Sequence, residues 1–129
     1  MRKKIVLGIA VVLISLFIFT VTRENKVTLY IGIGCQDSIE LPLDIAIDGK
    51  QVFDGVLTHN PLKYELSTIS LGSGFHNVSI TSSKLTNKEE MSFFVVYDQH
   101  LVIEYFPKCS DEIQPGFSVR NRLRPFYLE

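Results

Sequence analysis

The sequence predicts an all-β domain that is preceded by a single N-terminal transmembrane helix. Three observations favour this class. An uncharged apolar segment of helical length opens the chain, apolar and polar residues then alternate in several short segments, and turn-forming residues separate those segments. The chain has 129 residues. About 105 of them follow the apolar segment, which is enough for one domain with its own core.

The predicted transmembrane segment is Ile5–Thr22, which contains no charged residue. Its eighteen residues would span about 27 Å as a helix, close to the hydrocarbon thickness of a bilayer. The bases Arg2–Lys4 precede it and mixed charges follow it, so the positive-inside tendency places the N-terminus in the cytoplasm. We therefore expect residues 1–25 to be a signal-anchor segment and residues 26–129 to be a domain facing the periplasm or cell exterior.

The alternative is a cleaved signal peptide, which would make the protein secreted. The apolar region of a signal peptide has about 7–15 residues and ends in small residues. Here the apolar segment is longer, and its last residues, Phe17–Thr22, are bulky or β-branched. The segment therefore favours an uncleaved anchor.

Period-two alternation marks the first strands of the domain. Val27–Ile33 and Leu43–Ile47 alternate apolar residues with small or polar ones, as strands with one buried face do. Asp48–Gly49 then predicts a tight primed turn, because both central positions of that turn require positive φ. A return strand follows, and Asp54–Gly55 within it predicts a bulge or a second turn.

Two further strands are predicted on either side of a glycine-rich segment, Gly72–Gly74. Tyr64–Leu71 comes first, and a shift in the phase of its alternation indicates a bulge or a strand end. Phe75–Thr81 comes second. Its alternation places His76 on the same face as Val78 and Ile80, so we interpret His76 as a strand-start residue that covers the core.

The remaining strands are denser in apolar residues. Met91–Tyr97 and Leu101–Phe106 are apolar on both faces, which is typical of central strands, and the three residues between them are few enough for a hairpin. Phe117–Leu123 is a last alternating segment. Seven to eight strands at spacings of about 8–14 residues predict an antiparallel β-sandwich of immunoglobulin-like architecture. A small barrel is the alternative.

Two stretches of the chain resemble PEGA-type surface sandwich modules of bacteria. Ile47–Lys50 is similar to a strand that ends in Asp-Gly-Lys, and Leu71–Ile80 is similar to the return strand with its leucine, glycine, histidine and valine. The Pro-Glu-Gly-Ala signature and the Thr-Pro after the hairpin are absent here. The resemblance covers roughly a third of the chain and implies a fold and a surface setting rather than an activity. Such modules are regarded as interaction or spacer domains, which implies a non-enzymatic role.

The charge balance argues against a nucleic-acid partner. The chain has 13 basic and 14 acidic residues, of which four bases and one acid lie before residue 25. Residues 25–129 therefore carry 9 basic and 13 acidic residues, a net charge of −4. Proteins that bind the phosphate backbone need the opposite excess.

Cys35 and Cys109 are the only cysteines. An even number of cysteines in an exported domain favours a disulfide, and each of these cysteines follows a predicted strand. The bridge would close a loop of about 74 residues and contribute about 4 kcal/mol in the chain-entropy model. The alternative is a pair of buried thiols.

Metal and catalytic sites have little support in the sequence. The three histidines stand in none of the spacings that zinc sites use. Asp44, Asp48 and Asp54 could meet in the hairpin as calcium ligands, but turn chemistry explains Asp48 and Asp54 without a metal. No nucleophile elbow, phosphate loop or dinucleotide fingerprint is present. We therefore expect no cofactor, no metal and no enzymatic activity.

The most specific surface feature is a row of arginines near the C-terminus. Alternation places Arg120, Arg122 and Arg124 on one face of a strand, with Phe117, Val119 and Leu123 on the other. The row is either an edge strand protected by charge or an anion-binding stripe for an acidic partner or surface. Phe126 and Tyr127 follow it, and they either pack on the sandwich or contact a partner.

These observations predict a single-pass membrane protein whose outward sandwich is an interaction or assembly module. The membrane is its first partner, through residues 5–22, and a protein or an anionic surface is the second, through the arginines and the aromatic tail. The alternative is a solute- or glycan-binding module, secreted if the N-terminal segment is cleaved. In that case Tyr30, Tyr64 and Tyr97 would supply the aromatic platform, because the chain has no Trp.

Overall fold

A computed structural model of the chain describes residues 2–34, 39–58, 64–86, 88–108 and 115–124, with the backbone alone at residues 2–4 and 20–21. This part of the chain forms one helix and eight strands. They are α1 Arg2–Thr22, β1 Glu24–Ile33, β2 Glu40–Ile47, β3 Lys50–Thr58, β4 Glu65–Gly72, β5 Gly74–Thr81, β6 Glu89–Val95, β7 Gln99–Phe106 and β8 Gly116–Arg122.

The eight strands form two four-stranded sheets. Sheet A has the order β4-β1-β7-β8, and sheet B has the order β3-β2-β5-β6. Alternate residues of both sheets point inward and form one core between them. The buried core residues are Val27, Leu29, Ile31, Leu41, Leu43, Ile45, Ile47, Leu57, Val78, Ile80, Phe93, Val95, Leu101, Ile103 and Tyr105. The predicted all-β sandwich is confirmed.

One strand pair departs from the predicted antiparallel arrangement. β1 pairs with β7 in parallel, from Val27 opposite Gln99 to Ile33 opposite Tyr105, and with β4 in the antiparallel direction. The strand order also differs from that of immunoglobulin constant domains, in which the second strand lies beside the first. Here β2 lies between β3 and β5. The structure therefore supports a two-sheet sandwich, and its connectivity differs from that of immunoglobulin constant domains.

The predicted turn is present, but the predicted bulge lies elsewhere. Asp48 and Gly49 have φ of 50° and 78°, as a primed turn requires. The register of β3 shifts between the partners of Ile45 and Ala46 and leaves Val52 as the extra residue. Gly55 has a different role from the one predicted. A Cβ at Gly55 would lie 3.0 Å from the Phe53 ring, so the glycine makes room for that ring.

The predicted hairpin between the two apolar strands is wrong. β6 is an edge strand of sheet B and β7 is a central strand of sheet A, so residues 96–98 cross from one sheet to the other. β7 is buried on both faces, as its composition indicated. The outward face of β6 is not buried, and Phe94 there is 47% exposed. The prediction of a central strand is therefore right for β7 and wrong for β6, which is an edge strand with an exposed apolar outer face.

The chain also crosses between the sheets at Ser73, the single residue between β4 and β5. Gly74 has a φ of 141°, a value that side chains disfavour, so a glycine suits this corner. The crossing brings the end of β4 and the start of β5 to the same end of the sandwich as the start of β1, since Glu24 pairs with Gly72.

The strand directions define two ends of the sandwich. The end where β1 begins, one residue after α1, also contains the β2–β3 turn, the β4–β5 and β6–β7 crossings and the last residues of β8. We call this the helix-proximal end, and it comprises residues 23–26, 48–50, 72–76, 95–100 and 122–124. The far end contains the start of β2, the end of β3 and the end of β7.

Helix α1 contributes no residue to the sandwich core. Among the residues that the structure describes, no helix combines the length and the apolar character needed to cross a membrane. The transmembrane segment and its signal-anchor role therefore stay predictions.

Candidate functional site

Two of the three arginines lie on the outer face of sheet A, as the alternation indicated. Arg120 is opposite Val102 and Arg122 is opposite His100, on the face turned away from the core. β8 ends at Arg122, so Arg124 lies beyond the strand. Leu123, predicted to point toward the core, is 62% exposed because the alternation stops with the strand.

Arg120 is held by a buried carboxylate. Glu104 on β7 is only 5% exposed, although it points to the outer face of the sheet. One Arg120 guanidinium nitrogen donates to Glu104 Oε2, and the Tyr64 hydroxyl donates to Glu104 Oε1 at 2.5 Å. Both carboxylate oxygens therefore have a donor, which is the condition under which a charge can be buried.

Tyr64 is positioned by a glycine. Its ring lies over Gly32 of β1, where a Cβ would be 2.7 Å from two ring carbons. Burial of the hydroxyl, together with its hydrogen bond to Glu104, raises the pKa of Tyr64 well above its usual range. The hydroxyl therefore remains a donor to Glu104. Sequence analysis missed both Glu104 and Gly32. The two residues lie opposite each other on neighbouring strands, and no local sequence pattern links them.

Arg120 thus belongs to a structural network. Arg122 and Arg124 are exposed at the helix-proximal end, and the charge of Arg122 also acts on Tyr64. β8 is an edge strand of sheet A, because β7 is the only strand it pairs with in the described part of the chain. This edge position agrees with the interpretation of the arginines as edge protection. The exposed pair Arg122 and Arg124 leaves the anion-binding interpretation open for two of the three residues.

A histidine–aspartate pair lies at the helix-proximal end of sheet B. His76 Nδ1 lies 2.6 Å from Asp48 Oδ2, and the Asn77 amide donates to Asp48 Oδ1 at 2.9 Å. Burial opposes ionisation of Asp48, but these hydrogen bonds outweigh it and lower the pKa of the carboxyl. His76 Nε2 faces the Gly72 carbonyl oxygen at 2.9 Å. Both ring nitrogens of His76 therefore have a polar partner, which fixes the orientation of the ring.

The start of β1 is tied to both crossings at this end. The Lys26 amide donates to Asp98 Oδ1 at 2.8 Å, and the buried Asn25 side chain donates to Ser73 Oγ at 3.1 Å. Gln99 and Asn121 side chains both donate to the Phe94 carbonyl oxygen, each at 3.1 Å. These bonds fix the point where the chain leaves α1 relative to β6, β7 and β8.

The residues considered for calcium do not form a cluster. Asp44 and Asp54 are exposed cross-strand neighbours, whereas Asp48 is in the turn with His76. No group of three or more His, Cys, Asp or Glu residues that could hold a metal occurs within the described ranges. Cys35, Cys109, Phe126 and Tyr127 lie outside those ranges, so the disulfide and the contact role of the tail stay predictions.

The tyrosines do not form one platform. Tyr30 and Tyr64 lie half-buried on the outer face of sheet A, and Tyr30 packs against His100 with ring centroids 5.8 Å apart. Tyr97 lies on the β6–β7 crossing. Two open clefts of about 410 and 420 Å³ lie along the strands, and neither is lined by a described histidine that could serve as a base.

Loss of either donor to Glu104 is expected to destabilise the sandwich. Tyr64→Phe leaves one buried oxygen without a donor and should cost about 1–2 kcal/mol of unfolding free energy. Arg120→Ser leaves the buried carboxylate without its cation and should cost about 1–3 kcal/mol. Urea unfolding of the full chain in detergent measures both losses. Arg124→Ser is the matched control, because Arg124 is exposed and lies outside β8. An equal loss in all three variants would contradict the structural role of the network.

No protein-family model matches this chain, and no curated protein matches it. The resemblance to PEGA-type modules therefore stays a prediction that rests on turn and core residues. The arrangement of the chain's own side chains is therefore the basis for proposing a function.

Proposed function

We propose that this protein is a non-enzymatic, single-pass membrane protein. In this proposal the segment Ile5–Thr22 of α1 is its anchor, and the sandwich, immunoglobulin-like in architecture, faces the periplasm or cell exterior as an interaction or assembly module. The observation that carries the proposal is the exposed apolar surface of α1, which stands beside a sandwich whose own core is complete without it.

The apolar surface of α1 extends around the whole helix. Twelve of its large apolar side chains, all between Ile5 and Phe19, are 55–69% exposed. A helix that is apolar on all sides is stable only when another apolar phase or surface covers it. The uncharged sequence Ile5–Thr22 has the length of a membrane span, and bases precede it as they do on the cytoplasmic side of such spans. Lipid is therefore the apolar phase that we propose covers this surface.

The sandwich has two described arginines that suit an acidic partner or an anionic surface. Arg122 and Arg124 are exposed at the helix-proximal end, and Phe126 and Tyr127 follow them in the sequence. Arg120 is excluded from this role by its pairing with Glu104. Exposed guanidinium groups bind carboxylates and phosphates through paired hydrogen bonds, which gives such a surface specificity as well as charge.

Two lysines in the middle of α1 should release the protein from membranes. We expect Val12→Lys with Leu13→Lys to remove most of the protein from the pellet that remains after an alkaline carbonate wash. Each lysine at the centre of a membrane helix costs about 2.5–3.5 kcal/mol of insertion free energy. Val56→Lys with Leu66→Lys is the matched control, since both residues are exposed and apolar but lie on the sandwich. Complete retention of the helix variant, or wash-out of the unmodified protein, would refute the anchor.

The contact role of the arginines is tested in the same membranes. We expect Arg122→Ser with Arg124→Ser to reduce the recovery of cross-linked partners from intact membranes, because the exposed anion-binding groups are lost while the Arg120–Glu104 pair is kept. The control is Lys88→Ser, which removes an exposed base at the far end. Unchanged recovery in the arginine variant would show that these arginines protect the strand edge only.

A further inference from the structure

The helix-proximal end carries exposed apolar side chains that the core does not use. Phe75 is 81% exposed, and its ring packs against that of Phe94 with centroids 4.7 Å apart. Val96 and Tyr97 follow on the chain and are 51% and 44% exposed. We call these four residues the aromatic patch. Isolated apolar residues are ordinary on protein surfaces, but a contiguous group with two phenylalanines indicates a contact.

The strand register explains why the patch points outward. Phe75 lies opposite Phe94, and the next pair, His76 opposite Phe93, points inward. The rings of Phe75 and Phe94 thus have only each other as a described aromatic neighbour on the outer face of sheet B. Within the same two strands the inward positions Val78 and Val95 are fully buried. The sandwich is therefore packed without the patch.

The patch is held close to the point where α1 joins the sandwich. A single residue, Arg23, separates α1 from β1. The Lys26 amide is bonded to Asp98, directly after Tyr97, and Asn25 is bonded to Ser73, two residues before Phe75. These bonds leave little freedom for the patch to move away from the end of α1.

We propose that the aromatic patch inserts into the headgroup region of the bilayer that holds α1 and so fixes the orientation of the sandwich on the membrane. This inference rests on the proposed anchoring by α1. Aromatic side chains favour the membrane interface, where a ring can be buried while a hydroxyl such as that of Tyr97 stays hydrated.

The charges around the patch suit an anionic headgroup layer. The helix-proximal end has five bases, Arg23, Lys26, Lys50, Arg122 and Arg124, and three acids, Glu24, Asp48 and Asp98. Two of those acids, Asp48 and Asp98, accept hydrogen bonds within the sandwich. Basic residues near a membrane surface are attracted to anionic lipids, so this balance favours lipid contact at the end where the patch lies.

A second copy of the chain fits the patch less well than lipid. The edge strand β6 could pair with another strand only through its outward backbone groups. The Phe94 carbonyl oxygen is already occupied by the side chains of Gln99 and Asn121. An added strand that used this oxygen would have to displace both bonds.

Tryptophan fluorescence tests the proposal directly, because the chain has no Trp of its own. Phe75→Trp and Tyr97→Trp are reconstituted separately, as full chains, in vesicles of phosphatidylcholine and phosphatidylglycerol that contain dibrominated phosphatidylcholine. We expect a blue-shifted emission and strong quenching by the brominated lipid at both positions. Two controls bracket the patch. Val56→Trp lies on the same sheet face toward the far end, and Ser70→Trp lies near the helix-proximal end on the other sheet. Both positions are exposed, and both variants should be quenched several-fold less.

The outcomes separate this inference from the anchor on which it rests. If the protein does not float with the vesicles, the proposed anchor fails and the patch contact fails with it. If it floats but the Phe75→Trp and Tyr97→Trp variants are quenched no more than the two controls, the anchor stands and the patch contact is overturned. Blue-shifted emission without quenching by brominated lipid would indicate cover by a second copy and would also overturn the lipid contact.

Discussion

The parallel pairing of β1 with β7 is the constraint on which the arrangement of the helix-proximal end depends. β1 continues α1 after one residue and is a central strand, so it cannot slide without breaking pairs on both sides. Its parallel register brings Gln99, and with it the β6–β7 crossing, to the end where the chain leaves α1. The antiparallel pairing of β7 with β8 then brings Arg122 to the same end. The pairing of β1 with β4 places the β4–β5 crossing, and so Phe75, at this end as well. The exposed arginines and the aromatic patch therefore share one end because both are positioned by the partners of β1.

Buried polar groups make that arrangement specific. Asn25, Gln99 and Glu104 are each at most 5% exposed. An apolar side chain at these positions could pack in several orientations, whereas a buried polar side chain needs a hydrogen-bond partner in a fixed place. Each forms at least one hydrogen bond to another strand or to a crossing, and a misplaced strand would break that bond. Glu104 also decides the role of Arg120. The most regular feature of the sequence, a row of three arginines, thus divides into one structural residue and two exposed ones.

The sequence alone predicted the elements better than their partners. Alternation in Val27–Ile33 and the φ requirement of Asp48–Gly49 are local, and both predictions are confirmed. The hairpin between β6 and β7 was predicted because the connection is short. A connection of that length can equally cross from one sheet to the other, and here it does. Apolar density identified the buried strand β7 but assigned β6 to the interior as well, because composition does not distinguish a buried face from an exposed contact surface. The pairing of Tyr64 with Glu104 joins residues 40 positions apart, and no local pattern encodes it.

The central claim is that the helix-proximal end of the sandwich faces the bilayer. The most direct measurement is paramagnetic relaxation of backbone amides by gadolinium-chelating lipid headgroups, with the full chain in nanodiscs. The account predicts that amides of residues 72–76 and 95–100 relax faster than those of residues 82–86 at the far end. Equal relaxation at both ends, or faster relaxation at residues 82–86, would contradict it.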